Sequence, residues 1–391
     1  MTVIIKDKPK ILIPFKNLWD IADYTEQWIE LAGHVEFVKY RMHNKPEFQA
    51  YLAQSDIQGF WITEEFFQVL GNPADYWDFY PATLRVVLVP WVGCDFIDGK
   101  RLKEEKNVLL CNIGPNAATN VADLAMHLLL SAFRMTSCWE YVFRFLESGN
   151  INECKKYIGG DKLEKSITSW SDGIAKYDCE KPIHPKLEEL DEPLNLARKY
   201  TINEKLMDSP TNKNVLILGF GSIGQTIGRR LKFGLDMNVY YYKRSGRVPF
   251  ELLNYEAQYC ASLDDPNMWS VADAIILALP GTPNTDNLIN KKTLEMCKNG
   301  VRIINVGRGT CIDEDALIDA LNSKKVNSCG LDVFKDENVP IKKELLQRWD
   351  VTIMPHIGSA VADIVKRQSI ITLANIKNIF LEGGEGIYTI N

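Results

Sequence analysis

An apolar, β-branched run, Val215-Leu216-Ile217-Leu218, passes without a break into Gly219-Phe220-Gly221-Ser222-Ile223-Gly224 and then into an amphipathic stretch reaching about Phe233. A strand that meets a helix through three closely spaced glycines must turn sharply, and the backbone there is open to whatever approaches it. A second strand-like run, Asn238 to Tyr242, follows about twenty residues after the glycines, as a parallel partner requires. This local grammar commits the chain to a strand-helix-strand unit and so to a parallel sheet. The N–H groups at the helix start around Gly219, Gly221, Ser222, Ile223 and Gly224 form a natural seat for a pyrophosphate. A G-x-G-x-x-G pattern alone is weak; its place between strand and helix is what gives it force.

The same alternation extends over most of the chain. Short apolar segments at Lys10 to Pro14, Val35 to Val38, Gly59 to Ile62, Leu84 to Val89 and Val108 to Cys111 alternate with helical patterns. It resumes at Ala274 to Leu279, Arg302 to Val306, Ser328 to Val333 and Val351 to Met354. The fold expected is α/β: two Rossmann-like doubly wound parallel-sheet domains with an interdomain cleft. We place one domain at 1–115 plus 362–391 and the other at 116–361, with the final helix, about Ala360 to Phe380, returning to the first. A long apolar-periodic run from Asn120 to about Leu146 reads as one connecting helix with a side given to another domain or subunit. Its His127 is expected in the core or an interface; His34, His43 and His184 are expected at the surface. The Pro-, Gly- and Lys/Glu-rich stretch 148–210 reads as an insertion of loops and short helices.

With 391 residues, 46% of them hydrophobic, each domain can bury a proper core. A net charge of -6 without a long basic run argues against a nucleic-acid surface. Nine cysteines without C-x-x-C pairing point to reduced thiols, and no apolar stretch reaches the roughly 18 residues of a membrane span. A cytoplasmic protein is expected, with neither nucleic acid nor membrane as partner. No H-E-x-x-H and no Cys/His cluster calls for a metal.

At the end of the second strand stands Tyr242-Lys243-Arg244-Ser245, where an NAD-selective fold commonly has an acidic residue for the ribose hydroxyls. Lys243 and Arg244 suit a 2'-phosphate instead, so NADP(H) is the expected cofactor and NAD(H) the second option; a solvated basic turn is the plain alternative. Leu279-Pro280-Gly281-Thr282-Pro283-Asn284-Thr285 turns over a strand end and reads either as the loop beneath the nicotinamide or as a simple connection.

Asn305-Val306-Gly307-Arg308-Gly309 puts an arginine just past a strand with glycines on both sides, suited to a bidentate grip on a carboxylate. His356 follows another strand and precedes a helix, where it is either a proton donor to a developing alkoxide or a helix cap. A carboxylate on its far ring nitrogen would fix the tautomer; Glu337 is the candidate, with Asp332 and Asp336 competing on proximity.

Together these segments resemble the D-isomer-specific 2-hydroxyacid dehydrogenase family, closest in style to its glyoxylate and hydroxypyruvate reductase branch. The resemblance rests on Val92 to Asp98, Asn120 to Asp123, the glycine motif, Asn305 to Thr310, Leu331 to Glu337 and Pro355 to Ala360. It implies that Arg308 binds and polarises a 2-oxo acid, that His356 is the proton donor with Glu337 as its partner, and that the Val92 and Gly93 amides hold the substrate carboxylate. The expected cofactor set comprises the glycine loop, Lys243, Arg244, Ser245, Leu279, Pro280, Thr285, Val306, Gly307 and Asp332. A homodimer through the nucleotide-binding domain is also implied. The chain departs from the family pattern at Asn338, where proline often follows the glutamate, and at Met354, where threonine is usual. Trp91, with Trp61 and Trp139 as further candidates, would line the substrate pocket. The rival expectations are a catalytically silent nucleotide sensor or corepressor-like protein, and an NAD-linked relative with a bulkier 2-keto acid, formate or phosphoglycerate substrate.

Overall fold

The computed structural model describes residues 8–17, 21–158, 169–171, 174–176, 200–202 and 205–391. The chain divides into two compact units, Met1–Ala118 with Ser359–Asn391, and Thr119–Gly358.

The first unit holds a five-stranded sheet built from β1 (Lys10–Phe15), β2 (Glu36–Arg41), β3 (Gly59–Trp61), β4 (Val86–Leu88) and β5 (Leu109–Cys111), in the order β2-β1-β3-β4-β5. All four pairings are parallel. Alternate residues point to opposite faces, which explains why Leu12, Phe60, Val87 and Leu110 join one core while Ile11, Ile13, Trp61, Val86 and Leu88 join another. The helix Lys45–Gln54 closes the first face with Phe48 and Leu52; the helix Ile364–Phe380 closes the second with Leu373, Ile376 and Ile379. Both faces are covered, so the buried strands β3, β4 and β5 read as apolar runs, whereas the edge strand β2 does not. The chain beyond the last helix pairs back onto β5 through an antiparallel bridge between Cys111 and Thr389.

In the second unit two short antiparallel hairpins come first, β6 (Ser169–Ser171) with β7 (Ile174–Lys176) and β8 (Thr201–Ile202) with β9 (Lys205–Leu206). The main sheet follows: β10 (Asn214–Leu218), β11 (Asn238–Tyr242), β12 (Ala257–Cys260), β13 (Ala274–Leu277), β14 (Val301–Asn305), β15 (Val326–Leu331) and β16 (Val351–Ile353). Its order is β12-β11-β10-β13-β14-β15-β16, all parallel. The direction of winding therefore reverses between β10 and β13, and in open α/β sheets ligands bind outside the strand ends at such a switch point. The edge strand β12 escapes sequence reading because its residues, Ala-Gln-Tyr-Cys, are neither an apolar run nor buried.

Three expectations change. The run from Asn120 to Leu146 is not one helix: Ala118–Arg134 ends at Met135, buried with φ +53, and a short helix Thr136–Tyr141 and a π-helical turn Val142–Leu146 follow. Hydroxyls from both sides of the break converge on β16, with Ser131 Oγ 2.6 Å and Ser137 Oγ 2.9 Å from Thr352 Oγ1. Of the two places expected for His127 the core is excluded, since it is exposed in the single chain, on the outer side of a helix that gives Val121, Ala122, Ala125, Leu128, Leu129 and Phe133 to its own unit. The last helix begins at Ile364, later than Ala360. His34 and His43 are exposed, and His184 lies outside the described residues. Of 148–210 the structure describes a short helix, Ile151–Lys155, and the two hairpins.

Candidate active site

The glycine motif forms as its spacing requires. Gly219 has φ +92, and a side chain there would press on the Ala278 carbonyl in the neighbouring strand exit; a Cβ on Gly224 would overlap the Gly219 carbonyl oxygen. These two positions let the helix Ser222–Leu235 begin directly against β10. Gly221 occupies its N-cap position, so no side chain caps the first turn. N–H groups left without intrahelical partners there, at Ser222, Ile223 and Gly224, suit a phosphate. The cradle thus fits the pyrophosphate of a dinucleotide.

Next to it, β11 runs out at Tyr242, whose carbonyl accepts the Gly219 N–H at 3.1 Å. Tyr241 stacks on Phe220 with ring centroids 3.9 Å apart and accepts the Val248 N–H on its hydroxyl, which fixes the exit. Lys243 is half-buried, Arg244 and Ser245 are exposed, and the turn closes with Gly246 N–H on Lys243 O at 3.1 Å. No acidic side chain stands among Lys243 to Arg247. Across the switch point, the loop after β13 is braced by Thr285, whose hydroxyl donates to Pro280 O at 2.7 Å and accepts the Thr282 N–H at 2.9 Å. Leu279 is buried and its carbonyl borders Gly307, while Pro280 faces outward.

The chemistry-bearing groups lie at the ends of β14, β15 and β16. Asn305, fully buried, accepts the Gly307 N–H at 3.0 Å and donates to Arg308 O at 2.9 Å, so it fixes the backbone on which Arg308 stands. The motif contains this asparagine, yet its spacing gives no sign of the role. Val306 pairs with Leu277 O, and Arg308 Nη1 donates to Gly307 O at 2.8 Å. After β15, Glu337 Oε1 accepts the Phe334 N–H at 3.3 Å and Oε2 lies 2.7 Å from His356 Nδ1. Glu337 is therefore the carboxylate that meets the imidazole.

Asp332 is not the carboxylate that meets the imidazole. Buried, it accepts the Ile357 N–H at 2.8 Å and the Gly358 N–H at 2.9 Å on its carboxylate, and its carbonyl takes the His356 N–H at 2.8 Å. It holds the loop that carries the histidine. Asp336 bonds the Asn338 N–H and side chain instead. His356 is no helix cap, since the next helix starts only at Ile364 with Asp363 at its N-cap position.

Electrostatics follow from this geometry. The Glu337 hydrogen bond and charge raise the His356 pKa above the ordinary imidazole value, against burial and the nearby Arg308 cation. For Glu337, burial pushes the carboxyl up, but His356, the Phe334 amide and Arg308 together bring it below its usual value. Burial raises Asp332 despite its two amide donors. An imidazole whose proton is held more firmly than usual, with its far nitrogen on a carboxylate, is equipped as a general acid.

Val92 and Gly93 belong to the first unit, just after β4. Trp91 packs with Phe67 and Phe96 in that unit. Trp61 is 1% exposed inside the core and cannot line a pocket, and Trp139 packs beside Met207. Among the described residues no helix is long and apolar enough to cross a membrane, and no group of three or more His, Cys, Asp or Glu could hold a metal ion.

The NAD-binding-domain model of the D-isomer specific 2-hydroxyacid dehydrogenases matches residues 187–358. Over 388 residues the chain is 55% identical to a Saccharomyces cerevisiae protein whose name places it among the 2-hydroxyacid dehydrogenases without a substrate, covering 98% of this chain and 96% of that one. Glyoxylate reductase 1 of Saccharomyces cerevisiae is 38% identical over 175 residues, 44% of this chain and 48% of its own length. Among solved structures, a glyoxylate reductase from Paecilomyes thermophila shares the fold with a TM-score of 0.76 at 23% identity, over 98% of each chain. An NADPH-dependent glyoxylate/hydroxypyruvate reductase from Sinorhizobium meliloti does so with a TM-score of 0.67 at 24% identity, over 98% of this chain and 97% of that one. The chain belongs to the D-isomer specific 2-hydroxyacid dehydrogenase family. It is an NAD(P)-linked oxidoreductase of 2-hydroxy and 2-oxo acids.

Proposed function

We propose that the protein reduces a small 2-oxo acid, glyoxylate or hydroxypyruvate, to the D-2-hydroxy acid with NADPH in preference to NADH. The observation that carries this reading is the 2.7 Å contact between His356 Nδ1 and Glu337 Oε2, on strand ends next to that of Arg308. The nicotinamide, when bound, supplies the hydride. His356 delivers the proton from its other ring nitrogen to the nascent alkoxide, and Glu337 holds the tautomer that makes this donation available. Arg308 binds the carboxylate and polarises the carbonyl, and the Val92 and Gly93 amides receive the carboxylate.

The preference for NADPH rests on Lys243 and Arg244 at the end of β11, with Ser245 beside them and no carboxylate to repel a 2'-phosphate. Val306, Gly307, Leu279, Pro280, Thr285 and Asp332 border the nucleotide in this reading, and Asp332 also braces the histidine loop. We further infer a cytoplasmic homodimer formed through the nucleotide-binding unit. The test follows nicotinamide absorbance with glyoxylate, hydroxypyruvate, pyruvate and bulkier 2-keto acids, once with each nucleotide. Highest kcat/KM for glyoxylate or hydroxypyruvate with NADPH is expected; equal use of NADH, or a clear preference for bulkier acids, would overturn the corresponding half of the reading.

A further inference from the structure

The turn that this reading gives to the substrate carboxylate is held by a residue from another strand. The Val92 carbonyl accepts Asn112 Nδ2 at 2.7 Å. Asn112 lies just beyond β5 and is 5% exposed. Its Oδ1 accepts the Gly114 N–H at 2.8 Å, so the side-chain amide is used at both ends. Its main chain is held as well: the Asn112 N–H donates to Tyr388 O at 3.0 Å, and its carbonyl accepts Asn375 Nδ2 at 2.9 Å. Asn375, on the helix Ile364–Phe380, accepts the Ile387 and Tyr388 N–H groups at 2.8 and 3.0 Å. Last helix, following segment and β4 exit are thus joined through one buried asparagine inside a single unit.

A trans peptide is planar, with its C=O and N–H pointing in opposite directions. When Asn112 draws the Val92 carbonyl inward, the Gly93 N–H of the same peptide must point outward. Neither the Val92 nor the Gly93 N–H has a backbone acceptor among the described residues. We propose that Asn112 is a positioning residue of the substrate site, which orients the Val92-Gly93 turn so that its amides meet the carboxylate of the 2-oxo acid. This inference rests on the function proposed above. The carboxylate does not react, so its grip contributes to binding in ground and transition states alike and is read in KM.

The experiment uses the full chain with Asn112→Ala and the isosteric Asn112→Asp. Asp keeps the acceptor for Gly114 but sets an oxygen against the Val92 carbonyl. Loss of a buried hydrogen bond of this kind predicts a rise in the KM for glyoxylate of about tenfold or more in both variants. The kcat should stay within about threefold, and the NADPH Kd, measured by nucleotide fluorescence, should not move, because uniform binding alone is lost. Asn112→Asp serves if the Ala variant does not fold. An unchanged KM in a folded variant of an active enzyme overturns the inference alone, as does a parallel change in KM, kcat and NADPH Kd. A wild-type enzyme that turns over no 2-oxo acid with either nucleotide removes the underlying reading as well.

Discussion

His356 sits at φ +54, a left-handed conformation that costs a non-glycine residue on the order of 1–2 kcal/mol. Asp332 offsets that cost with three hydrogen bonds, one to each N–H from His356 to Gly358. Replacing His356 by Ala should lower reduction by about 10²- to 10⁴-fold, the usual contribution of a general acid, while NADPH affinity measured by fluorescence stays the same. Unchanged turnover would remove His356 from the chemistry. Because Glu337 raises the His356 pKa, the proton persists to higher pH than on a free imidazole, and reduction falls only as pH rises through the raised value. Glu337→Gln should therefore move the alkaline limb of the kcat/KM profile to lower pH; a stationary limb would separate the two residues. Sequence spacing leaves Asp332, Asp336 and Glu337 as rivals, since it does not say where a side chain points. One accepts two loop amides, one caps a turn and one meets the imidazole.

Among elements, the parallel strands are the most legible, because burial on both faces writes them as unbroken apolar runs, as in Val215 to Leu218 and Ala274 to Leu277. The glycine turn is legible for a steric reason, as only glycine fits at 219 and 224. The break at Met135 is not, since the apolar period continues through it and a methionine gives no sign of a left-handed residue. Edge strand β12 lacks the burial that marks its neighbours. The exit of β11 carries its own prediction. Changing Lys243 and Arg244 together to neutral residues should weaken NADPH by about 10- to 100-fold, the loss of charge-assisted hydrogen bonds to a phosphate, and leave NADH within about threefold. Titration of each nucleotide by fluorescence checks this, and equal losses for both would make the pair a general electrostatic feature.

At the scale of the molecule, one buried ion pair fastens the end of the 148–210 region to the seven-stranded sheet. Lys205, 3% exposed, donates to Asp350 Oδ2 at 2.5 Å, to Leu321 O at 3.0 Å and to Val326 O at 3.3 Å, while Arg348 grips the same carboxylate at 2.7 and 2.8 Å. Nothing in the local sequence around Lys205 announces a buried partner 145 residues away. Lys205→Met leaves Asp350 with one cation in the interior and should cost about 3–5 kcal/mol of stability, read as a lower urea midpoint. A midpoint equal to wild type would show the pair to be dispensable. The reversal of winding between β10 and β13 has a longer reach. In the function proposed above, coenzyme choice hangs from the strands on one side of that seam, and proton transfer from those on the other. On that reading a lineage, or an engineer, would rewrite which redox pool the enzyme draws on by editing a single turn, with the reaction itself carried over intact.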